Sequence, residues 1–220
     1  MMMTTAPSGK VPCTMQDAVL VKTEILLPRP KRFVREDLVM PDGYEIDWYY
    51  VDTPPSVLVV PVTSDGAVVM VRQWRHNLKR HTLEFPAGTV DKGEPLERAV
   101  ERELREETGF TLAAGGKLRP LGAFSSLPSE TNKYTHMFLA MPVVPNGPAT
   151  GDAEIEKYFD MSVELRERRE VLGAIGDAVI GTETITAFML AEQQQGMDLR
   201  PWRPFRRCQL TVPVIDPFSL

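Results

Sequence analysis

A chain of 220 residues, 43% hydrophobic and 25% charged, has the composition of one globular domain, or one domain with a modest appendage. Its net charge of −5 argues against a nucleic-acid partner, which would have to be met by clustered Lys and Arg. No apolar run approaches the roughly 20 residues that span a bilayer, so no membrane partner is expected. The two cysteines, Cys13 and Cys208, sit near opposite ends and cannot make a disulfide framework, so a reducing cytoplasm is expected.

Residues 1–16 are rich in Thr, Ser, Pro and Gly and have no apolar core behind their first charge; they are expected to be a disordered terminus, not a secretory signal. From there to residue 55 the pattern is strand-like: VLVKTEILL, RFVREDLVM and YEIDWYYV, the last two joined by the turn Pro41-Asp42-Gly43. Residues 17–55 thus form an N-terminal β appendage, and 56–198 the main domain. Ser56 to Thr63 is a continuous β-branched run, as in a strand buried on both faces, and Ser64-Asp65-Gly66 turns it into a partner, AVVMVRQW. A short strand, Thr82 to Phe85, leads into Pro86-Ala87-Gly88. The period then becomes helical from Pro95 to Thr108, with Gly109 ending the helix. Strands near Leu118–Ser125 and Tyr134–Val143, a strand around Ile155–Ser162, and helices at Val163–Ala174 and Thr182–Gln194 complete the regular part. Residues 199–220, with four prolines, read as an irregular tail. The class is α/β (α+β): a mixed β-sandwich between helices.

The chemistry concentrates on the first helix. At 100° per residue, Leu96, Ala99, Val100 and Leu104 make an apolar stripe, and Glu103 and Glu107 fall within roughly 20° of Leu96, inside it. Arg98, Glu101, Arg102 and Arg105 point the other way, with Glu101–Arg105 and Arg102–Glu106 as supporting i, i+4 pairs. Two like charges on a buried face cost several kcal/mol or more without a partner, roughly as for any uncompensated buried ion. A hard cation removes that cost. Glu103 and Glu107, with Glu106 beside them, form an oxygen-rich patch suited to Mg²⁺ or Mn²⁺. Upstream, Gly88 permits close backbone approach to a ligand. The histidines His76, His81 and His136 show no metal-ligand spacing.

Gly88, five residues, Glu94, seven residues, Arg102-Glu103-Leu104, one residue, Glu106-Glu107, one residue, Gly109-Phe110 is a pattern that resembles the Nudix box at every fixed position. The resemblance implies a Nudix fold and hydrolysis of a nucleoside diphosphate linked to another group. It implies Mg²⁺ ligation by Glu103 and Glu107, with Glu106 close by and the Ala87 carbonyl joining them, while Glu94 and Arg102 hold loop and helix together. From about Phe33 to Ala191 the chain is similar to the ADP-ribose pyrophosphatase branch, through VRQWR (71–75) and LEFPAG (83–88). In that branch Arg75 contacts the diphosphate and Glu84 is a further acid near the metals. Trp48 matches a position that stacks adenine in some relatives, although an aromatic in a strand also serves packing. Gly151-Asp152-Ala153-Glu154 resembles the loop that delivers a glutamate general base, nominating Glu154 over Glu156 and Asp152. The resemblance also implies a homodimer with exchanged N-terminal strands. One departure concerns the loop that helps choose the sugar: it reads Leu127-Pro128-Ser129-Glu130, so the branch's proline is kept as Pro128 but its glycine is not. ADP-ribose is the favoured substrate, with GDP-mannose or ADP-glucose, or a non-catalytic nucleotide-binding role, as rivals.

Overall fold

The computed structural model describes residues 14–28, 31–151 and 158–195. Most of the terminus expected over 1–16, the tail 199–220, both cysteines and the acids Asp152, Glu154 and Glu156 lie outside the described residues. The described residues form two sheets. The first is a three-stranded antiparallel meander of β1 (Val19–Leu27), β2 (Arg32–Val39) and β3 (Glu45–Asp52). Its second turn is closed by Gly43 N–H donating to the Met40 carbonyl at 2.8 Å, as the Pro-Asp-Gly sequence demands.

The second sheet has seven strands: β4 (Ser56–Thr63), β5 (Val68–Arg75), β6 (Arg80–Glu84), β7 (Ala87–Thr89), β8 (Phe110–Phe124), β9 (Thr135–Pro145) and β10 (Ser162–Arg166). Its main order is β10-β5-β4-β9-β8, with β6 on β5 and β7 on β4; β4 and β9 run parallel and the other pairs antiparallel. The run at Ser56–Thr63 is central, and alternation along it feeds two cores. Val57 and Val59 pack with Ala99, Val100 and Leu104 of α1 (Leu96–Thr108). Leu58, Val60 and Val62 pack on the other face with Val171 of α2 (Arg168–Ala174) and Ala187, Phe188 and Ala191 of α3 (Thr182–Gln194). Burying each such aliphatic side chain contributes about 1.5–3 kcal/mol. The result is a mixed sheet between helices, as expected. No helix among the described residues is long and apolar enough to cross a membrane.

Three expectations are corrected. Val163–Arg166, assigned to a helix, belongs to β10, and only Arg168 onward is helical. The five residues Ser162–Arg166 pair with β5 along their whole length, and that edge pairing overrides the helix propensity of Glu, Leu and Arg. The strand placed near Leu118 begins at Phe110, because Ala113-Ala-Gly-Gly116 is taken up as an irregularity within β8 and not as a turn. Arg102, placed on the outer face, is turned in toward the loop before α1, for reasons given below.

The two sheets are joined through the loop that departs from the branch pattern. Val51 N–H donates to the Glu130 carbonyl (2.8 Å), Thr131 Oγ1 to the Val51 carbonyl (2.8 Å), and Asn132 bridges Thr53 N–H (3.0 Å) and the Asp52 carboxylate (2.6 Å). Residues 130–132 therefore strap the end of β3 to the main domain.

Candidate active site

The site is built where β7 meets α1. Pairing of β7 with β4 brings Ala87 and Gly88 against the inner face of the helix. Glu103 is 8% exposed, and its carboxylate lies so close to Gly88 that any Cβ at position 88 would collide with it. Glycine at 88 is thus required by the carboxylate of its own protein, not only by a ligand. Glu107, one turn on, accepts the Ala87 N–H through Oε2 at 3.1 Å. Both acids point inward, as the helical projection requires. Gly109, at φ 71°, ends the helix and donates to the Arg105 carbonyl, and its own carbonyl accepts Asn146 N–H at 2.7 Å.

Arg102 organises the acids. Its Nε and Nη2 each reach the Glu94 carboxylate at 2.9 Å in a two-pronged pair, and Nη2 also donates to the Thr89 carbonyl at 2.9 Å. Nη1 donates to Glu103 (2.7 Å) and Glu106 (3.2 Å). The planar five-donor guanidinium can serve three carboxylates and a carbonyl at once, which lysine could not. The hydrogen bonds it donates to Glu94 hold Arg102 well above the usual arginine range, against the opposing effect of burial. The same bond lowers the Glu94 carboxyl. Glu94 and Arg102 do hold loop and helix together. Of the two expected i, i+4 pairs, Arg102–Glu106 forms; Glu101 pairs with Arg98 instead, at 3.4 Å.

Beside Ala87 and Gly88 opens a cleft of about 1190 Å³ that also exposes Arg75, Glu84, Lys133 and Glu183. This is at the upper end of ligand-pocket sizes, about 1,000 Å³. Arg75 and Glu84, on the adjacent strands β5 and β6, form a bidentate pair, with Arg75 Nε to Glu84 Oε1 at 2.8 Å and a second bond from Nη2 to Oε2. The hydrogen bond to Glu84 raises Arg75, and the charge of Glu107 adds to it, which places the acidic helix within electrostatic reach of the cleft. Burial alone would raise the Glu84 carboxyl, but Arg75 and the Thr82 hydroxyl outweigh it and hold Glu84 below its ordinary 4.5.

That depression has a consequence for stability. A carboxyl lowered in the folded state stabilises the fold above its unfolded value, and the contribution is lost as pH falls through the folded value. In urea melts, the stability gap between wild type and Glu84→Gln is expected to be flat above about pH 5 and to close below it. A gap that widened with acid would be inconsistent with the Arg75–Glu84 pair.

Not every expected contact meets in this cleft. Trp48 and Pro128 line a second, smaller cavity of about 200 Å³, together with Glu36, Tyr50, Thr131 and Asn132. Two cleft residues, Lys133 and Glu183, had no signal in the sequence: Glu183 reads there as an ordinary acid in the first turn of a helix. Thr150, Gly151 and Phe159, the described residues that flank 152–157, are each tied to an element of the site. Thr150 and Gly151 N–H donate to the Glu106 carbonyl (3.0 and 3.1 Å), and the Phe159 carbonyl accepts the N–H of Trp74, next to Arg75, at 2.6 Å.

The residues fit a divalent ion by their chemistry. Among the described residues no three acidic, His or Cys side chains converge as a finished cage, because Arg102 holds Glu103 and Glu106 while Glu107 rests on Ala87 N–H. Mg²⁺ does not need such a cage, since it binds through one or two carboxylates and completes its shell with water and substrate phosphates. Glu103, buried beside Gly88, and Glu107 carry hard oxygens of the kind such an ion takes.

A model of the NUDIX domain matches residues 52–172. This chain belongs to the Nudix family. It is 32% identical over 167 residues to an ADP-ribose pyrophosphatase of Bacillus subtilis, covering 73% of this chain and 89% of that protein. An ADP-sugar pyrophosphatase of Mus musculus is 30% identical over 178 residues, covering 70% and 79%. A methanol dehydrogenase activator of Bacillus methanolicus is 31% identical over 178 residues, covering 80% and 94%. The crystal structure of an ADP compounds hydrolase superposes with a TM-score of 0.69 at 20% identity, over 84% of this chain and 99% of that one, a likeness of fold. As a Nudix pyrophosphatase, the chain is a hydrolase of phosphoanhydride bonds.

Proposed function

We propose that this Nudix hydrolase cleaves the diphosphate of ADP-ribose, or of a closely related nucleoside diphosphate sugar, using Mg²⁺ or Mn²⁺. ADP-ribose would give AMP and ribose 5-phosphate. The observation that carries the reading is the inward turn of Glu103 and Glu107 onto Ala87 and Gly88, next to a cleft holding the Arg75–Glu84 pair. Glu103, Glu107 and the Ala87 carbonyl, with Glu106 adjacent, are the groups that would hold the metal. When bound, it neutralises charge building up on the diphosphate oxygens.

The protein's own groups do the rest. Arg75 offers a fixed positive charge, aimed by Glu84, to a diphosphate lying over Ala87–Gly88. Arg102 keeps Glu103 and Glu106 in place. Glu154 is nominated to take a proton from the attacking water; the tethering of the chain at Glu106 and Trp74 supports an acid from this loop, with Asp152 and Glu156 as its competitors. Trp48 is assigned to the adenine, and Pro128, with its loop, to the sugar side of the substrate. Incubation with ADP-ribose and Mg²⁺ should release AMP, and no AMP from folded protein would overturn the reading. The same assay run with GDP-mannose and ADP-glucose, compared by kcat/KM, ranks the rival sugars.

A cytoplasmic homodimer is part of the proposal, with residues 17–55 as the assembling arm and 56–198 as the catalytic domain. Its support is β1, an edge strand with Val19, Leu20, Val21, Ile25, Leu26 and Leu27 all exposed, Val21 at 64%. A long apolar edge of this kind needs cover. Sedimentation at micromolar concentration is expected to give twice the chain mass of 24.7 kDa, and a monomer would remove this part of the proposal.

A further inference from the structure

Of the four cations in the cleft wall, three besides Lys31 are paired with a carboxylate: Arg32 with Asp52 (2.9 Å), Arg75 with Glu84, and Lys133 with Glu183 (3.5 Å). A bare polyphosphate would meet three repelling acids there. A diphosphate flanked by neutral hydroxylated groups would find a partner for both signs. Of the three acids, Glu183 differs in how it is held. Its Oε1 accepts Thr135 Oγ1 at 2.7 Å, Ser126 Oγ at 3.2 Å and the Lys133 ammonium at 3.5 Å. Thr135 is itself buried and shares a 2.8 Å hydrogen bond with Ser56 at the start of β4. Oε2 receives no donor from the described residues, although the side chain is only 26% exposed in the cleft wall. Glu84, by contrast, has donors on both oxygens.

A carboxylate fixed through one oxygen, with the other left open in a binding cleft, is a preorganised acceptor. It cannot face a phosphate without repulsion, and the divalent ion of the reading above is given to Glu103 and Glu107, so the partner it fits is a neutral donor. We infer that Glu183 is a specificity-determining residue that accepts a hydroxyl of the sugar joined to the diphosphate. The inference rests on the nucleoside diphosphate sugar reading above. A group whose only task was to fasten α3 to the sheet would be expected to engage both oxygens with protein donors.

The test compares ADP-ribose with ADP esterified by ethanol, which keeps the base, the nucleoside ribose and the diphosphate but lacks the sugar hydroxyls. AMP release with Mg²⁺ is followed for wild type, Glu183→Ala and Glu183→Gln. Loss of a hydrogen bond to a charged group predicts that the ratio of kcat/KM for ADP-ribose to that for ethyl-ADP falls about tenfold or more in Glu183→Ala. It should fall less in Glu183→Gln, which keeps one carbonyl oxygen. Equal loss on both substrates would overturn the inference, since it marks a role in the chemistry, in the base or in the fold, and so would no change on either. Because Glu183→Gln keeps the size and one acceptor of the original, it carries the same comparison if the alanine variant does not fold. Folded wild type that cleaves neither compound would instead sink the underlying substrate reading, and the inference with it.

Discussion

Glu107→Gln is expected to lower turnover of ADP-ribose by about 10³-fold or more while leaving the fold intact. The amide has the shape of the carboxylate and keeps an oxygen for Ala87 N–H, which sits 3.1 Å from the native Oε2, so stability should change by no more than about 0.5 kcal/mol. What is lost is a negative charge one helical turn from Glu103. Removing one preorganised electrostatic partner at a reacting centre costs about 10²–10³ in rate, and a metal ligand stands at or beyond the upper end of that range. Glu101→Gln is the control: the residue is exposed on the outer face of the same helix and bonds only Arg98 among the described residues. Quantifying AMP release for the two variants, alongside their circular dichroism, decides the matter. Near-normal turnover in Glu107→Gln would remove the metal assignment from this helix.

The second large effect is expected at Arg102. Replacing it with Met keeps the volume of the stem but strips the counter-charge from Glu94, Glu103 and Glu106, whose side chains are only 15%, 11% and 19% exposed. Leaving such groups without their partner costs about 3 kcal/mol or more. The loss has a signature that a packing defect would not share. If Glu103 and Glu106 belong to a metal site, a divalent ion supplies the missing positive charge, and binding that favours the folded state stabilises it by mass action. Urea denaturation with chelator and with millimolar Mg²⁺ should therefore show a larger gain from Mg²⁺ in Arg102→Met than in wild type. A variant as stable as wild type in chelator, or equally insensitive to Mg²⁺, would mean that Arg102 is not what makes the acidic cluster tolerable.

Much of the fold could be read from local pattern because local physics decided it. The continuous apolar run in SVLVVPVT is what a strand buried on both faces needs, and Pro41-Asp42-Gly43 can hardly do other than turn. Proline before Leu96 and glycine at 109 bound α1 within a residue of its observed ends. The inward direction of Glu103 and Glu107 follows from the 100° step once the apolar stripe is known. Where pairing competes with propensity, the reading failed: Ser162–Arg166 is strand only because β5 offers an edge to it. The same limit applied to Arg102. A helical projection puts it outside, but a long side chain is free to fold back, and three acids and a carbonyl were there to receive it.

By itself, then, the sequence determined the family pattern, the acidic helix and the identity of the groups suited to a divalent ion, since these depend on residue type and on spacing within one continuous segment. Only the tertiary structure decided which distant groups share the cleft. Arg75 and Glu84 meet because β5 and β6 are hydrogen-bonded neighbours, and Glu183 joins Lys133, Ser126 and Thr135 because α3 starts at the end of the sheet where β8 and β9 meet the cleft. Contacts across 48 to 57 residues of sequence are set by how sheet and helix pack, and no local spacing encodes them.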